Sequence, residues 1–346
     1  MGKSLARTAI SIIVAFVLAL VIAWFYLWVS PAPMLAPPSQ VSIEKGESFR
    51  SVARQLKAAG VVRSSTALLI YGELTGKARR IQPGDYEFKG GERLPDVMRH
   101  LVNGDFISII VTIPEGLTVH QIAERVALTG LVCQPDFEHA AHDGPLIDAL
   151  GLKPLGAEGY LFPATYKFSP RAKVGDVLSA MLMRFFQVLT PQAEERMFQL
   201  GLTSRELVTM ASIVEKEAKI PGERKLIASV FYNRIRLGMP LQSDPTAEYS
   251  FEGESQSAAA AVRVPSTFNT YSFAGLPPGP IANPGQRSIE AALYPAKSDY
   301  LYFVARDDGT HVFSKSYEEH QKAIAMLRRT VWHDGAKPSP SARVLR

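Results

Sequence analysis

The hydrophobic pattern changes character several times along the chain. Thr8 to Val29, "TAISIIVAFVLALVIAWFYLWV", runs 22 residues without a charge. As a helix, a run of that length crosses about 30 Å of hydrocarbon, so it predicts a transmembrane segment. From Val41 the pattern alternates and then turns helical. In "VSIEKGESFRSVARQLKAAGVV" (41–62), Val41 and Ile43 alternate and Gly46 interrupts; Phe49, Val52, Ala53 and Leu56 then recur at helical spacing, and Gly60 sits where a helix would end. The arrangement returns without gaps at an offset of 70 in "VTIPEGLTVHQIAERVALTGLV" (111–132), and in a shorter form, "KGGERLPDVMRHL" (89–101), at an offset of 45. A strand–helix unit this small cannot bury its apolar face alone, which predicts that neighbouring copies share a core.

Past residue 155 the pattern becomes that of helices separated by loops rich in Gly, Pro and aromatics. One helix is expected near 175–188, on Val177, Leu178, Met181, Leu182 and Phe185. Another starts at "TSRE", where Thr203 and Glu206 have capping-box spacing, and continues through Leu207, Met210, Ala211 and Val214. A third carries Leu226, Ile227, Val230, Phe231 and Ile235 and stops at Gly238. "DYLYFVARDDGTHVF" (299–313) predicts a hairpin with Asp-Gly at its turn, and "SYEEHQKAIAMLRR" a closing helix. The fold class is α+β: an N-terminal transmembrane helix, LysM-like strand–helix repeats, then a mixed helical and β domain. The expected divisions are a cytoplasmic N-terminus (1–7), the span (8–29), a Pro-rich spacer (30–40), a repeat domain (41–132), a connector (133–155), the main domain (156–332) and a disordered tail (333–346).

Charge orients the span. Lys3 and Arg7 precede it and no charge follows until Glu44, which predicts a cytoplasmic N-terminus and export of everything beyond residue 30 across the cell (inner) membrane. A cleaved signal peptide is the alternative, although its apolar core would be shorter. With 346 residues, 47% of them hydrophobic, the chain can hold two or three domains. Its net charge of +5 is scattered and nowhere alternates with aromatics, which speaks against a nucleic-acid groove. The single cysteine, Cys133, excludes an intrachain disulfide. His139 and His142 lack a second cluster with zinc spacing, so no metal is expected. There is also no phosphate loop, HExxH or G-x-S-x-G motif, which lowers the NTPase, zinc protease and α/β-hydrolase readings.

Candidate chemistry then concentrates in "ASIVEKEAKIPGER" (211–224). Glu215 and Glu217 fall on opposite flanks of the helix, each roughly 80° from the centre of its apolar stripe. A carboxyl half-buried beside apolar walls has a raised pKa and can act as a general acid. Periodicity does not choose between the two.

Two resemblances add to this reading. The strand, "KGES" and helix pattern of 40–132 resembles LysM modules, which bind GlcNAc-containing glycans; a small spacer without a sugar site is the alternative. "MASIVEKE", "ERKLIASVFYNRIRLGMPLQSDPT", "FNTYSFAGLPPGPIANPG" and "YLYFVARDDGTHVF", in that order, resemble the YceG-like endolytic murein transglycosylases over nearly the whole chain, most strongly from 156 to 320. The resemblance implies a lytic transglycosylase that cuts MurNAc-β-1,4-GlcNAc bonds within peptidoglycan strands and leaves 1,6-anhydroMurNAc ends. It assigns Glu217 as the single acid and then base, with the nucleophile on the substrate and no metal or cofactor needed. It also offers Gln242, Asp244, Thr246, Asn269 and Tyr271 as sugar contacts, with Glu223 as a supporting group. The added Pro-Gly in "KEAKIPGER" and the Ala-rich 251–264 depart from the family pattern and touch loop shape. A membrane anchor with a short spacer would confine the enzyme to glycan near the membrane, with peptidoglycan synthases as partners. A non-enzymatic, membrane-tethered peptidoglycan binder and a hydrolase on the same fold are the competing readings.

Overall fold

The computed structural model describes residues 2–29, 34–251 and 258–333. Among them the protein is mainly helical, with small two-stranded sheets. The chain divides into two units. One comprises Met1–Ile109 with Lys167–Arg171, the other Ile110–Tyr166 with Ala172–Arg346.

The first unit contains α1 (Gly2–Val29), β1 (Met34–Ile43), α2 (Phe49–Ala58), α3 (Ser65–Leu74), β2 (Gly84–Gly90) and α4 (Leu94–Asn103). Among the described residues no helix is long and apolar enough to cross a membrane. Of the expected span 8–29, the described side chains are those of 10–23, all exposed. β1 pairs antiparallel with β2, Val41 facing Tyr86 and Ile43 facing Gly84. It begins at Met34, inside the expected spacer, and its register shifts between Met34 and Ser39. Pro37 and Pro38 lie in that stretch and have no N–H to give the ladder. α2 is capped by Ser48, whose side chain accepts from the Ser51 N–H. Val41, Ile43, Val52, Leu56, Leu68, Tyr86, Phe88, Val97, Met98 and Leu101 form one buried core, so the first copy and the short copy do share it. Residues 167–171 return to this unit, where Ser169 donates to Asp85 at 2.5 Å and Arg171 to Ser42 at 3.2 Å.

The second long copy belongs to the other unit, so the boundary falls inside the span expected to be one repeat domain. Its local form is as expected: β3 (Ile109–Thr112) leads to Gly116 at φ 80°, then α5 (Val119–Ala127), then Gly130 at φ 75°. Thr118 and Gln121 form a capping box at the start of α5. The apolar face of α5, with Val119, Ile122, Ala123 and Val126 buried, packs on α6 (Gln134–Asp143). Cys133, His139 and His142 are exposed.

α7 (Pro145–Ala149), β4 (Thr165–Phe168), α8 (Val174–Val188) and α9 (Pro191–Leu200) follow, with β4 pairing β3. Then come α10 (Ser204–Glu217), α11 (Arg224–Arg236), α12 (Asp244–Glu248), α13 (Ala258–Ala261), α14 (Gln286–Leu293), β5 (Tyr302–Ala305), β6 (His311–Ser314) and α15 (Tyr317–His333). The predicted capping box starts α10, with Thr203 and Glu206 bonding reciprocally. α10 was expected to be amphipathic. Instead every residue from Leu207 to Val214 is buried, because α11, α12 and α14 all pack against it. Burial of each Leu, Val, Ile or Met there contributes roughly 2 kcal/mol, which makes α10 a rigid post for the residues at its end. β5 and β6 form the predicted hairpin, Phe303 facing Phe313, with Gly309 at φ 83° in the turn. The predicted tail (333–346) lies, after His333, outside the described residues.

Candidate active site

Glu217 is the last residue of α10. Ala218 leaves the helix at φ −78°, ψ 107°, so the carboxyl stands at the negative end of the helix dipole, where charge is disfavoured. The residue keeps some solvent exposure, while protein surrounds the carboxyl itself. Burial pushes its pKa up to about 7; Asp244 and Glu248 on α12 add to the rise. Two groups oppose it: a hydrogen bond from Ser243, and the Arg234 guanidinium of α11. Ser243 Oγ donates to Glu217 Oε1 at 2.5 Å, a length typical of a hydroxyl on a carboxylate. A carboxyl held this way carries a proton near neutrality and can give it up and take it back.

The loop that delivers Ser243 is fixed from below by Arg234, which is fully buried. Its Nε donates to Leu301 O at 2.7 Å, and its Nη1 reaches Pro240 O, Leu241 O and Gln242 Oε1 at 3.0, 3.0 and 3.1 Å. The guanidinium also lies 5.0 Å from the centroid of the Tyr302 ring. Gln242 sits at φ 54°, the one positive φ outside glycine among the described residues, and its N–H donates to Thr270 O. Ser243 N–H donates to Thr270 Oγ1, and Thr246 Oγ1 donates to Ser243 O.

The residues expected at the site therefore separate. Gln242, Asp244 and Tyr271 are partly exposed around Glu217, and Tyr271 OH donates to Asp244 Oδ1 at 2.6 Å. Burial, then Asp244, raises the Tyr271 pKa. Thr246 is fully buried and bonded to Ser243 and Thr270. Asn269 is buried as well; its amide donates to Val262 O and Val264 O and accepts from Tyr271 N–H, which is a loop-holding role. Glu223 accepts from both the backbone N–H and Nδ1 of His311, tying the turn after α10 to the β5–β6 hairpin.

Glu215, the other acid of the pair, is enclosed differently. Arg224 Nη2 donates to it at 2.8 Å, Gly285 N–H at 3.0 Å and Ser288 Oγ at 2.8 Å. It thus caps the N-terminus of α14 while pairing a buried arginine. The two acids face different parts of the protein, as their places on opposite flanks of α10 imply. Both carboxyls meet protein, in separate surroundings.

Sequence reasoning passed over several residues. Ser243 lay unremarked between Gln242 and Asp244. Arg234 is a charge on the otherwise apolar face of α11, and that was its available signal. Asn283 donates to Leu117 O and Glu158 Oε1 and accepts from Leu161 N–H, and nothing in its spacing announced this. Among the described residues no group of three or more His, Cys, Asp or Glu is placed to hold a metal ion.

The YceG-like family profile matches residues 41–326. A Bacillus subtilis (strain 168) protein named endolytic murein transglycosylase is 35% identical over 302 residues, covering 82% of this chain and 83% of its own length. A Streptococcus pneumoniae serotype 2 protein of the same name is 30% identical over 323 residues, 82% of this chain and 57% of its own length. The crystal structure of a YceG-like protein from Listeria monocytogenes matches at a TM-score of 0.58 and 31% identity, over 83% of this chain and 99% of that one. With the profile spanning both units and similarity holding at the level of sequence and of fold, this chain belongs to the YceG-like family.

Proposed function

We propose that the protein is an endolytic peptidoglycan lytic transglycosylase with Glu217 as its single acid and base. The observation that carries this reading is the environment of Glu217: a carboxyl whose pKa is near 7, at the end of a rigid helix, with one hydroxyl bonded to it. In the first step protonated Glu217 gives its proton to the glycosidic oxygen between MurNAc and GlcNAc, and the C1–O bond breaks with its electrons going to that oxygen. In the second step the Glu217 carboxylate takes the proton from the MurNAc 6-hydroxyl as that oxygen bonds to C1, closing the 1,6-anhydro ring. The proton count returns to its start and no water is consumed. Acid and base roles alternating on one group require a pKa near the working pH, which burial supplies. The nucleophile belongs to the sugar itself, so its proximity is built in. Asp244, whose charge adds to the Glu217 pKa rise, accepts a hydrogen bond from Tyr271.

Digestion of purified sacculi followed by mass spectrometry tests this. Anhydro ends made by the wild type and lost in Glu217→Gln support transglycosylation. Reducing ends from the wild type would establish a hydrolase, and intact sacculi a binding protein.

The same proposal includes anchoring: residues 8–29 hold the protein in the cell membrane with its N-terminus cytoplasmic, near nascent glycan and the synthases that make it. Its support is the 22-residue run without a charge in the sequence, with Lys3 and Arg7 before it. If a form lacking residues 1–40 replaced the full chain in cells, anchoring would have no role.

A further inference from the structure

Gln242 combines two unusual features. It holds a left-handed backbone conformation (φ 54°) that side-chain-bearing residues adopt at a cost, and such strain gathers at functional sites. Its side chain also has a determined orientation. An amide can ordinarily be placed either way round, because its oxygen and nitrogen look alike. Here the partner is Arg234 Nη1, at 3.1 Å. A guanidinium only donates, so the atom facing it is Oε1. Nε2 is then turned the other way. It makes no hydrogen bond among the described residues, and it is absent from the buried atoms that lack a partner, so it opens to solvent. The next residue in the chain is Ser243, whose hydroxyl holds Glu217.

We propose that Arg234 and Gln242 form a preset hydrogen-bond donor beside the acid: Arg234 fixes Oε1 from within, and Nε2 bonds an acceptor oxygen of the bound glycan. Gln242 is the contact and Arg234 the positioning residue. Arg234 is suited to this because it is buried, its Nε and Nη1 bonded to the carbonyls of Leu301, Pro240 and Leu241 and its guanidinium near the Tyr302 ring, while its Nη2 is buried without a hydrogen-bond partner. The left-handed backbone and the bond to Arg234 occur together at this one residue. A donor oriented before binding loses little entropy when the sugar arrives. This rests on the transglycosylase reading of the site and specifies one of its sugar contacts.

Gln242→Glu is the discriminating variant. A carboxylate keeps, and strengthens, the bond to Arg234 but has no N–H to offer. The expected result is an unchanged or higher Tm with kcat/KM for glycan cleavage down roughly tenfold at the pH optimum, mostly through KM. Its added charge also raises the Glu217 pKa, which moves the pH profile without lowering its maximum, so the whole profile is recorded. Gln242→Gly is the second variant; glycine suits the backbone conformation, so it keeps the fold, and it loses the donor. Loss of cleavage in both folded variants supports the proposal. Wild-type KM in either folded variant, or a Gln242→Glu profile shifted along the pH axis with its maximum intact, overturns it. Wild-type protein that makes no anhydro ends would instead overturn the transglycosylase reading, and the two failures are distinct.

Discussion

Two acids, one residue apart, end the same helix and do opposite things. Glu215 accepts three hydrogen bonds, from a buried arginine, a helix N-terminus and a serine. Glu217, past the last buried turn, accepts one, from Ser243, and lies among other carboxylates. The first environment binds a negative charge and uses it to join α10, α11 and α14. The second resists charge and so keeps a proton available. On the proposed mechanism, the shortage of partners is what suits Glu217, and not Glu215, to act as the acid.

The largest effect expected from breaking this contrast is on cleavage. Glu217→Gln should lose about 10³- to 10⁴-fold in kcat while folding normally, and Glu215→Gln, assayed where it is still folded, should stay near wild type. Product analysis on sacculi reads both. Comparable losses from the two folded variants would end the distinction.

Stability should rank them the other way. Glu215→Gln removes the nearer, buried counter-charge of Arg224 and leaves only the half-exposed Glu115 at 3.9 Å, since Arg224 is 8% and Glu215 6% exposed. A cost of about 3 kcal/mol is expected, measured by urea unfolding with an unchanged slope.

The pH dependence sharpens the comparison further. Folded protein holds the Glu217 proton up to about pH 7, while an ordinary glutamate releases it near 4.5. The folded state thus binds more protons in that window, and stability falls as pH rises through it, by on the order of 3 kcal/mol in all. Glu217→Gln should remove this slope and be the more stable protein at pH 8; parallel stability–pH curves for the two would contradict the burial argument. In the wild type, kcat/KM should fall about tenfold per pH unit above pH 7, because the reaction starts from the protonated acid.

The smallest effect is expected for Ser243→Ala. The hydroxyl favours the ionised carboxylate, so removing it raises the Glu217 pKa and carries the alkaline limb to higher pH, with a few-fold change in kcat. A limb that stays in place or moves downward would show that Ser243 does not tune the acid.

Local features of this molecule were legible in the sequence. The Thr203–Glu206 cap, the Gly116 and Gly130 turns and the β5–β6 hairpin are decided by residues close together in the chain, so their patterns reveal them. The helical repeat in α10 was legible too, but not its enclosure, because neighbours from α11, α12 and α14 bury the polar flank. The same limit applied to the paired acids: periodicity placed them on opposite flanks, and only residues 9 to 73 positions away distinguish their surroundings. The family resemblance offered Asn269 and Thr246 as sugar contacts, yet each is buried and bonded in holding a loop. The repeat at 111–132 misled in a third way. Its strand–helix form was correctly read, whereas its packing partner was set by α6, which the repeat did not contain.

Asn283 carries a consequence for how the protein acquires its fold. Its bonds span 122 residues to Leu161, 125 to Glu158 and 166 to Leu117, whereas Ser243 and Glu217 are 26 apart. Contacts across such long loops are entropically costly to close and tend to form late. Synthesis makes Glu217 and Ser243 before Asn283. The growing chain therefore holds both residues for a time without the cross-link that joins 117, 158 and 161, and the amide of one late asparagine completes that scaffold.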